Sequence, residues 1–205
     1  MGFEIFLIGR KLKNSPPISR PYKTRRMRLL FNKGFLFYAE YNLRLFFLLL
    51  FSRKSILLAN DLDTLLPNYL ISRMQNKKLV YDSHELFTET PSVQNRYSQK
   101  IWRKLEQFLL TKITNFYTVS KPILKWYENK YKIKGVVIKN YPERVSHVHQ
   151  ESKENYMIYQ GALIDGRGLI PLIKAMQKIE VLTLKIVGDG PYKKEIIEAI
   201  KTFNR

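Results

Sequence analysis

The chain contains no cysteine and only three histidines among its 205 residues. The absence of cysteine excludes disulfide bonds, thiolate metal ligands and cysteine nucleophiles. Three histidines (His84, His147 and His149) leave little basis for a histidine metal site. Acidic residues are also scarce, because 17 Asp and Glu oppose 36 Lys and Arg and the formal net charge is +19. Such a charge indicates polyanionic surroundings, whether nucleic acid, anionic lipid or a phosphorylated ligand.

Glycine and proline are not abundant, with nine of each. Ordinary complexity and 45% hydrophobic residues argue against general disorder, collagen and simple repeats. The length is enough for one large domain or two modest ones with a proper core.

The positive charge is concentrated in residues 1–54, where 12 basic residues oppose only Glu4 and Glu40. The run Tyr22–Arg28 has no acidic partner. Such a run forms either a solvated face or a patch that attracts phosphates, and the sequence leaves both readings open.

The longest apolar segment is Gly34–Phe51, which contains Glu40, Asn42 and Arg44. It falls short of the roughly 20 uninterrupted apolar residues that a membrane span requires. Glu40 and Arg44 are four residues apart, the spacing of an ion pair on one helical face. We therefore predict a buried or interfacial helix. Basic flanking residues keep attachment to a membrane surface open: Lys33, Arg53 and Lys54.

The segment Phe3–Ile8 is too short for the core of a secretory signal and contains Glu4. We expect a cytoplasmic protein, with peripheral attachment to the inner face of a membrane left open.

Short apolar runs alternate with helical patterns along the first 142 residues, which predicts a parallel α/β sheet with right-handed crossovers. The runs are apolar enough to predict a sheet covered on both faces. The predicted strands are Phe3–Ile8, Ile56–Ala59, Lys78–Asp82, Phe116–Val119 and Val136–Lys139. The first predicted helix is Thr64–Met74. The second is Pro91–Thr114, with a buried stripe formed by Tyr97, Ile101, Leu105, Phe108 and Leu109. Ser120 caps the third predicted helix, which ends before Gly135.

A polar segment, 143–155, separates two domains, 1–142 and 156–205. His147 and His149 alternate in this linker and are read as solvated, because no neighbour completes a metal shell. The pattern then restarts with strands Tyr156–Gln160 and Leu182–Val187 and helices Leu169–Ile179 and Tyr192–Thr202. Two βα units are too few for a complete doubly wound domain, so the second domain is expected to be partial.

The first candidate site is His84, directly after the predicted strand Lys78–Asp82. Ligands of open α/β sheets bind at the carboxyl ends of strands, where an imidazole can donate to a developing charge or hold a carbonyl. The alternative is that Asp82, Ser83 and His84 cap the next helix and close a turn.

Glycine turns follow both strands of the second domain. In the first turn, Gly161 and Gly166 let the backbone approach a ligand, and Arg167 lies where the next helix offers free N–H groups to an anion. The second turn contains Gly188 and Gly190, and the two turns together are predicted to line one crevice. The alternative for each glycine segment is that it forms only a tight turn between strand and helix and binds no ligand.

The segments YDSHELF, YTVSKPI, VVIKNYP, YQGALIDGRGLIPLIKAM and LKIVGDGP, in this order, resemble the retaining glycosyltransferases of family 4. The resemblance covers nearly the whole chain. It implies a GT-B fold, in which two Rossmann-like domains face each other across a cleft, with the acceptor on the N-terminal domain. It further implies transfer of a hexose from a nucleotide-diphospho-sugar to a glycan or lipid-linked acceptor in cell-surface polysaccharide synthesis.

The resemblance also assigns residues. His84 resembles the family's histidine that contacts the transferred sugar, and Arg167 resembles the basic residue that neutralises the donor diphosphate without a metal or other cofactor. Gly161 and Gly166 belong to the same donor turn, and Gly188 and Gly190 resemble the loop on which the nucleotide lies. Ala162 stands where the family commonly has a second basic residue.

Two parts of the family pattern are absent. The first strand with its glycine loop has no counterpart before Phe3–Ile8, and the E-x7-E stretch would follow Arg205. The resemblance therefore implies an internal piece of a glycosyltransferase, truncated at both ends, which argues against catalysis by this chain alone.

Two other classes stay open. A non-catalytic basic module that binds anionic lipid or nucleic acid would explain the charge, although no nucleic-acid-binding motif is present and no nucleic acid partner is expected. Another GT-B sugar-nucleotide enzyme, such as an epimerase, would act without an acceptor.

Overall fold

Strands and helices alternate along the chain, and each pair of neighbouring strands in the described residues is parallel. A computed structural model describes residues 2–90, 93–142 and 155–203. Two units, 1–142 and 143–205, each have their own core. The predicted α/β class with parallel sheets is confirmed. The predicted linker, with His147 and His149, lies outside the described residues except for its last position.

Unit 1 has two parallel sheets, one of two strands and one of four. Its elements are β1 (Phe6–Lys11), β2 (Lys23–Arg28), α1 (Gly34–Phe51), β3 (Ile56–Asn60), α2 (Leu62–Met74), β4 (Lys78–Ser83), α3 (Tyr97–Leu110), β5 (Asn115–Thr118), α4 (Lys121–Tyr131) and β6 (Val136–Val137). β1 pairs with β2, and the larger sheet has the order β3-β4-β5-β6.

The larger sheet packs its helices on one face. Leu57, Tyr81 and Phe116 point into a core shared with residues of α1 to α4. On the opposite face Ile56 and Leu58 are exposed, and no helix of the described residues covers them. The prediction of a sheet covered on both faces was therefore wrong for the edge strand β3, whereas Asp82, on the same face of β4, is buried. Because the strand order follows the chain order, successive right-handed crossovers all place their helices on the same side.

The basic run of residues 22–28 contains a strand that was not predicted. β2 pairs in parallel with β1, with Ile8 opposite Arg25 and Arg10 opposite Met27. Met27 is buried in the core, whereas Lys23, Arg25 and Arg28 are exposed. Lys23 and Arg25 lie on the same face of the strand as Met27, so this charged segment joins the sheet by burying one side chain while these cations stay exposed. The run also has an acidic partner that was not predicted, because Lys23 pairs with Glu4 over 2.6 Å.

α1 agrees with the prediction of a helix that is partly buried. Tyr41, Leu45 and Leu49 lie in the core, and the predicted Glu40–Arg44 ion pair is present at 2.8 Å. Of the described helices, α1 is the one that is long and apolar enough to cross a membrane by length and composition.

The buried face of α3 differs from the predicted stripe. Tyr97, Ile101 and Phe108 are exposed, while Gln99 and Glu106 are buried with Leu109 and Leu110. Glu106 is fully buried. The hydroxyls of Tyr131, Tyr127 and Thr88 donate to its carboxylate and so offset the cost of burying it. Burial is the largest influence on this carboxyl and raises its pKa. A polar cluster thus joins α3 to α4, where hydrophobic periodicity alone predicts apolar contacts.

α4 begins as predicted. The backbone N–H of Ile123 donates to the Ser120 hydroxyl over 3.5 Å, and Pro122 lies in the first turn. The helix ends at Tyr131, before Gly135, and Lys132 follows it in the left-handed conformation.

Unit 2 consists of two βα repeats. Its elements are β7 (Tyr156–Gln160), α5 (Leu169–Met176), β8 (Thr183–Val187) and α6 (Lys193–Phe203). β7 and β8 are parallel, and Leu163, Leu169 and Ile173 pack with Ile196 and Ala199 of α6. The sequence predicted all four elements, with helix ends that differ by one to three residues.

We predict that Glu106→Ala lowers the free energy of unfolding of unit 1 by about 2–4 kcal/mol, because buried tyrosine hydroxyls lose their acceptor. Glu106→Gln keeps a carbonyl acceptor and should cost less. Urea unfolding followed by tryptophan fluorescence measures this, since Trp102 and Trp126 both lie in unit 1. The control is Glu128→Ala, an exposed position on α4. Equal losses for Glu106→Ala and Glu128→Ala would contradict the role of the cluster.

Candidate functional site

Polar side chains gather at the carboxyl ends of the larger sheet of unit 1. Asp61 follows β3, Asp82 and His84 lie at the end of β4, and Asn140 is the third residue after β6. Tyr117 of β5 stands opposite Asp82 in the strand register. Parallel strands end at one edge of the sheet, which is where open α/β sheets bind ligands.

His84 makes three hydrogen-bond contacts, and a fourth bond joins two of its partners. Its Nε2 lies 2.9 Å from Oδ2 of Asp82, and its Nδ1 lies 3.4 Å from Nδ2 of Asn140. Its backbone N–H donates to Oδ1 of Asp61 over 3.2 Å, and the N–H of Asp61 donates to the carbonyl of Asp82. The side chain of His84 is still 45% exposed, so the ring is held by hydrogen bonds and remains accessible to solvent.

The site is acidic, although the chain as a whole is strongly basic. Burial is the main cause that raises the pKa of Asp61, and it raises the pKa of the neighbouring Asp63 to about 6. Burial and then the Asp82 carboxylate raise the pKa of Tyr117 to about 12. Tyr117 therefore keeps its proton at neutral pH and offers a phenol beside Asp82.

The end of β4 is tied to the polar cluster of α3 and α4. The Ser83 hydroxyl donates to the carbonyl of Glu85 and lies 3.0 Å from the hydroxyl of Tyr127, which donates to Glu106. Thr118 donates to the carbonyl of Ser83 over 2.7 Å. These bonds fix the backbone on which His84 stands.

The alternative reading of this segment is correct for the turn but wrong for the helix cap. Ser83 closes a turn, whereas the next element is a 3-10 turn at Phe87–Glu89 and α3 begins only at Tyr97. Asp61, Tyr117 and Asn140 were not predicted as site residues. Their positions near the carboxyl ends of strands were the feature of the sequence that could have identified them.

In unit 2, Arg167 is exposed and makes no ion pair with any residue that the structure describes. It lies between Gly166 and Gly168, and α5 begins at Leu169 without a side-chain cap. Gly166 has φ +81°, which favours glycine, and its N–H donates to the Asp165 carboxylate over 2.8 Å. The turn thus presents an exposed cation at the start of a helix.

The two glycine turns of unit 2 contact one another. The N–H of Gly161 donates to the carbonyl of Val187, and the N–H of Leu163 donates to that of Asp189, each over 3.0 Å. A side chain at Gly188 would overlap the carbonyl oxygen of Gly161, and one at Gly190 would overlap that of Leu163. In this structure the glycines allow two backbones to approach each other closely.

The predicted site residues thus fall in both units. His84 lies in unit 1, and the other five lie in unit 2: Gly161, Gly166, Arg167, Gly188 and Gly190. Within the described ranges, no group of three or more His, Asp or Glu side chains is arranged to hold a metal ion. No protein-family model matches the chain, and a search of curated proteins found no match.

We predict that Gly188→Ala opens the contact between the two turns, because the added methyl group overlaps the Gly161 carbonyl. Amide hydrogen exchange should then be faster at Gly161 and Leu163. Gly9→Ala is the control, since its methyl group would meet no atom within 4 Å. Unchanged exchange at both amides in Gly188→Ala would show that the turns do not need this glycine.

Proposed function

We propose that the chain is a retaining glycosyltransferase of the GT-B type, or a piece of one, that uses a nucleotide-diphospho-sugar. In this reaction the bond between sugar C1 and the diphosphate oxygen breaks. A bond from C1 to an acceptor hydroxyl oxygen forms on the same face of the sugar, and the hydroxyl proton leaves with the diphosphate. The acceptor class is a glycan or a lipid-linked glycan, as the resemblance implies.

The observation that carries the proposal is the setting of His84. Its imidazole lies at the carboxyl edge of a parallel sheet, 2.9 Å from Asp82, and is partly exposed. A ring held in this way can contact a sugar hydroxyl without reorganising, which is how preorganised polar groups favour a transition state. The sequence resemblance assigns that contact to the same residue.

Arg167 supports the diphosphate part of the proposal. An exposed guanidinium that pairs with no described acidic residue suits two phosphate oxygens, and the start of α5 adds backbone donors. No metal is invoked, because a positioned cation can stabilise the charge of the leaving group.

We predict that a calorimetric melt of the full chain shifts upward with one nucleotide, UDP or GDP, and with its sugars UDP-glucose or GDP-mannose. Ligand at 100 times its Kd contributes about 2.7 kcal/mol, which raises the melting temperature by roughly 5 °C or more. Arg167→Gln should lose the shift. Lys178→Gln removes an exposed cation of the same unit and should keep it.

Two results would contradict this proposal. One is a melt that no nucleotide or nucleotide-sugar shifts. The other is a shift that Arg167→Gln and Lys178→Gln reduce equally, because it would show general attraction to a basic protein and no specific donor turn.

We further propose peripheral contact with an anionic membrane through α1. Leu36, Leu43, Phe47 and Phe51 form an exposed stripe on this helix, and Phe51 is 82% exposed. Spacings of seven and four residues place them on one face. The exposed cations Lys33 and Arg53 flank the helix in sequence. Arg44 pairs with Glu40, and Lys54 turns back and donates to the carbonyls of Leu49 and Ser52. An apolar stripe beside cations suits an anionic bilayer surface.

We predict that the chain co-sediments with phosphatidylglycerol-containing vesicles at low salt and less at high salt. Leu43→Ser with Phe51→Ser should weaken the binding, because apolar area that would enter the bilayer is lost. The matched control is Tyr97→Ser, which removes a 79% exposed aromatic from α3. No co-sedimentation at low salt, or an equal loss in the control, would overturn the membrane contact.

A further inference from the structure

We propose that Asp82 is a positioning residue: its buried carboxylate holds the ring of His84 so that Nε2 carries the proton and Nδ1 is the nitrogen that accepts a hydrogen bond. Of Asp82 and His84, the sequence resemblance assigns a role only to His84. The inference therefore adds a second residue to the site and states which ring nitrogen faces a ligand.

The carboxylate of Asp82 is the rigid member of the pair. Asp82 is 4% exposed, on a strand that pairs on both sides, with Asn60 opposite it on β3 and Tyr117 opposite it on β5. Within the described residues its Oδ1 is buried without a hydrogen-bond partner, Oδ2 lies 2.9 Å from Nε2 of His84, and the phenol of Tyr117 lies beside the carboxylate. Burying a carboxylate is costly unless its hydrogen bonds are kept, which favours the bond to His84.

The hydrogen-bond partners select one form of the neutral ring. A carboxylate only accepts, so Nε2 of His84 donates to Asp82. The remaining nitrogen, Nδ1, then has a lone pair, and the atom nearest to it among the described polar groups is the amide nitrogen of Asn140, which donates. Both neighbours of the ring therefore agree on the same tautomer.

The surrounding charges indicate the group that Nδ1 accepts from. Asp61 and Asp82 both contact His84, and Glu85 follows it in the chain. Carboxylates so close to the imidazole would repel a phosphate bound there, whereas an uncharged hydroxyl is a suitable donor to Nδ1. The 3.4 Å separation from Asn140 is long for a hydrogen bond, so a hydroxyl can replace or join the amide. This last step rests on the proposed function, because a sugar supplies the hydroxyl.

The direct test is nitrogen NMR of the three histidine rings in the 15N-labelled full chain at pH 8, where an ordinary imidazole is neutral. His84→Gln assigns the signals. We expect His84 to be the Nε2–H tautomer with a slowly exchanging ring proton. In Asp82→Asn that proton should exchange fast, and the Nδ1–H form should appear. In the control, Glu85→Gln, an exposed neighbouring carboxylate is removed and the signature should remain.

An Nδ1–H tautomer in the wild-type chain would overturn the inference, whether or not any variant folds. An unchanged signature in Asp82→Asn, with tryptophan fluorescence showing an intact unit 1, would also overturn it. Asp82→Glu is the second variant, and it should restore part of the Nε2–H signal if a carboxylate is what the ring needs.

A binding measurement separates this inference from the proposed function. For the nucleotide that binds, Asp82→Asn should reduce the extra affinity of the nucleotide-sugar over the free nucleotide by about 10-fold, since one hydrogen bond to a charged partner is misplaced. Affinity for the free nucleotide should be unchanged. If the extra affinity stays intact in Asp82→Asn, the positioning role is overturned. If the wild-type chain binds no nucleotide, the proposed function fails, and the tautomer result still decides the role of Asp82.

Discussion

The parallel direction of strands β3 to β6 is the constraint on which the candidate site of unit 1 depends. Because the carboxyl ends of these strands meet at one edge, residues far apart in the chain become neighbours. His84 contacts Asp61 from the strand before it and Asn140 from beyond the strand after next. The buried cluster around Glu106 reaches Ser83 through Tyr127 and holds the backbone at this edge. Fold and site are therefore stabilised by overlapping sets of hydrogen bonds.

Charge is divided between different parts of the chain. Most cations of β2 are exposed along a strand, and Arg167 is exposed at the start of a helix in unit 2. The edge that carries His84 is lined by carboxylates instead. A net charge of +19 therefore describes the chain but not this site. Phosphate groups suit exposed cations, whereas uncharged hydroxyls suit an edge lined by carboxylates.

Most of the fold could be predicted from the sequence because buried parallel strands are short apolar runs that differ from helices in length. β4 is of this kind, and β3 is an apolar run of which only alternate residues are buried. The missed strand β2 has a single buried side chain, Met27, among exposed cations, so hydrophobicity could not reveal it. The buried face of α3 was misjudged because Glu106 is compensated by tyrosines of α4, a contact that no local pattern encodes.

The candidate site was less predictable than the fold. A position after an apolar strand was enough to single out His84 and the glycine turns. Its partners Asp61 and Asn140 could not be chosen from many polar loop residues before the strand order was known. For Gly188 and Gly190 the structure supplies a reason that a sequence motif does not, since neighbouring backbone fills the space beside them.

The most direct test of the central claim, that His84 lies in a sugar-binding site, is a histidine NMR titration of the full chain with UDP-glucose and with GDP-mannose. The chain has only three histidines, so His147 and His149 serve as internal references. The account predicts a saturable shift of the His84 ring signals with one nucleotide-sugar and a smaller shift with the free nucleotide. Signals of His84 that do not move, or that move together with those of the other two, would contradict it.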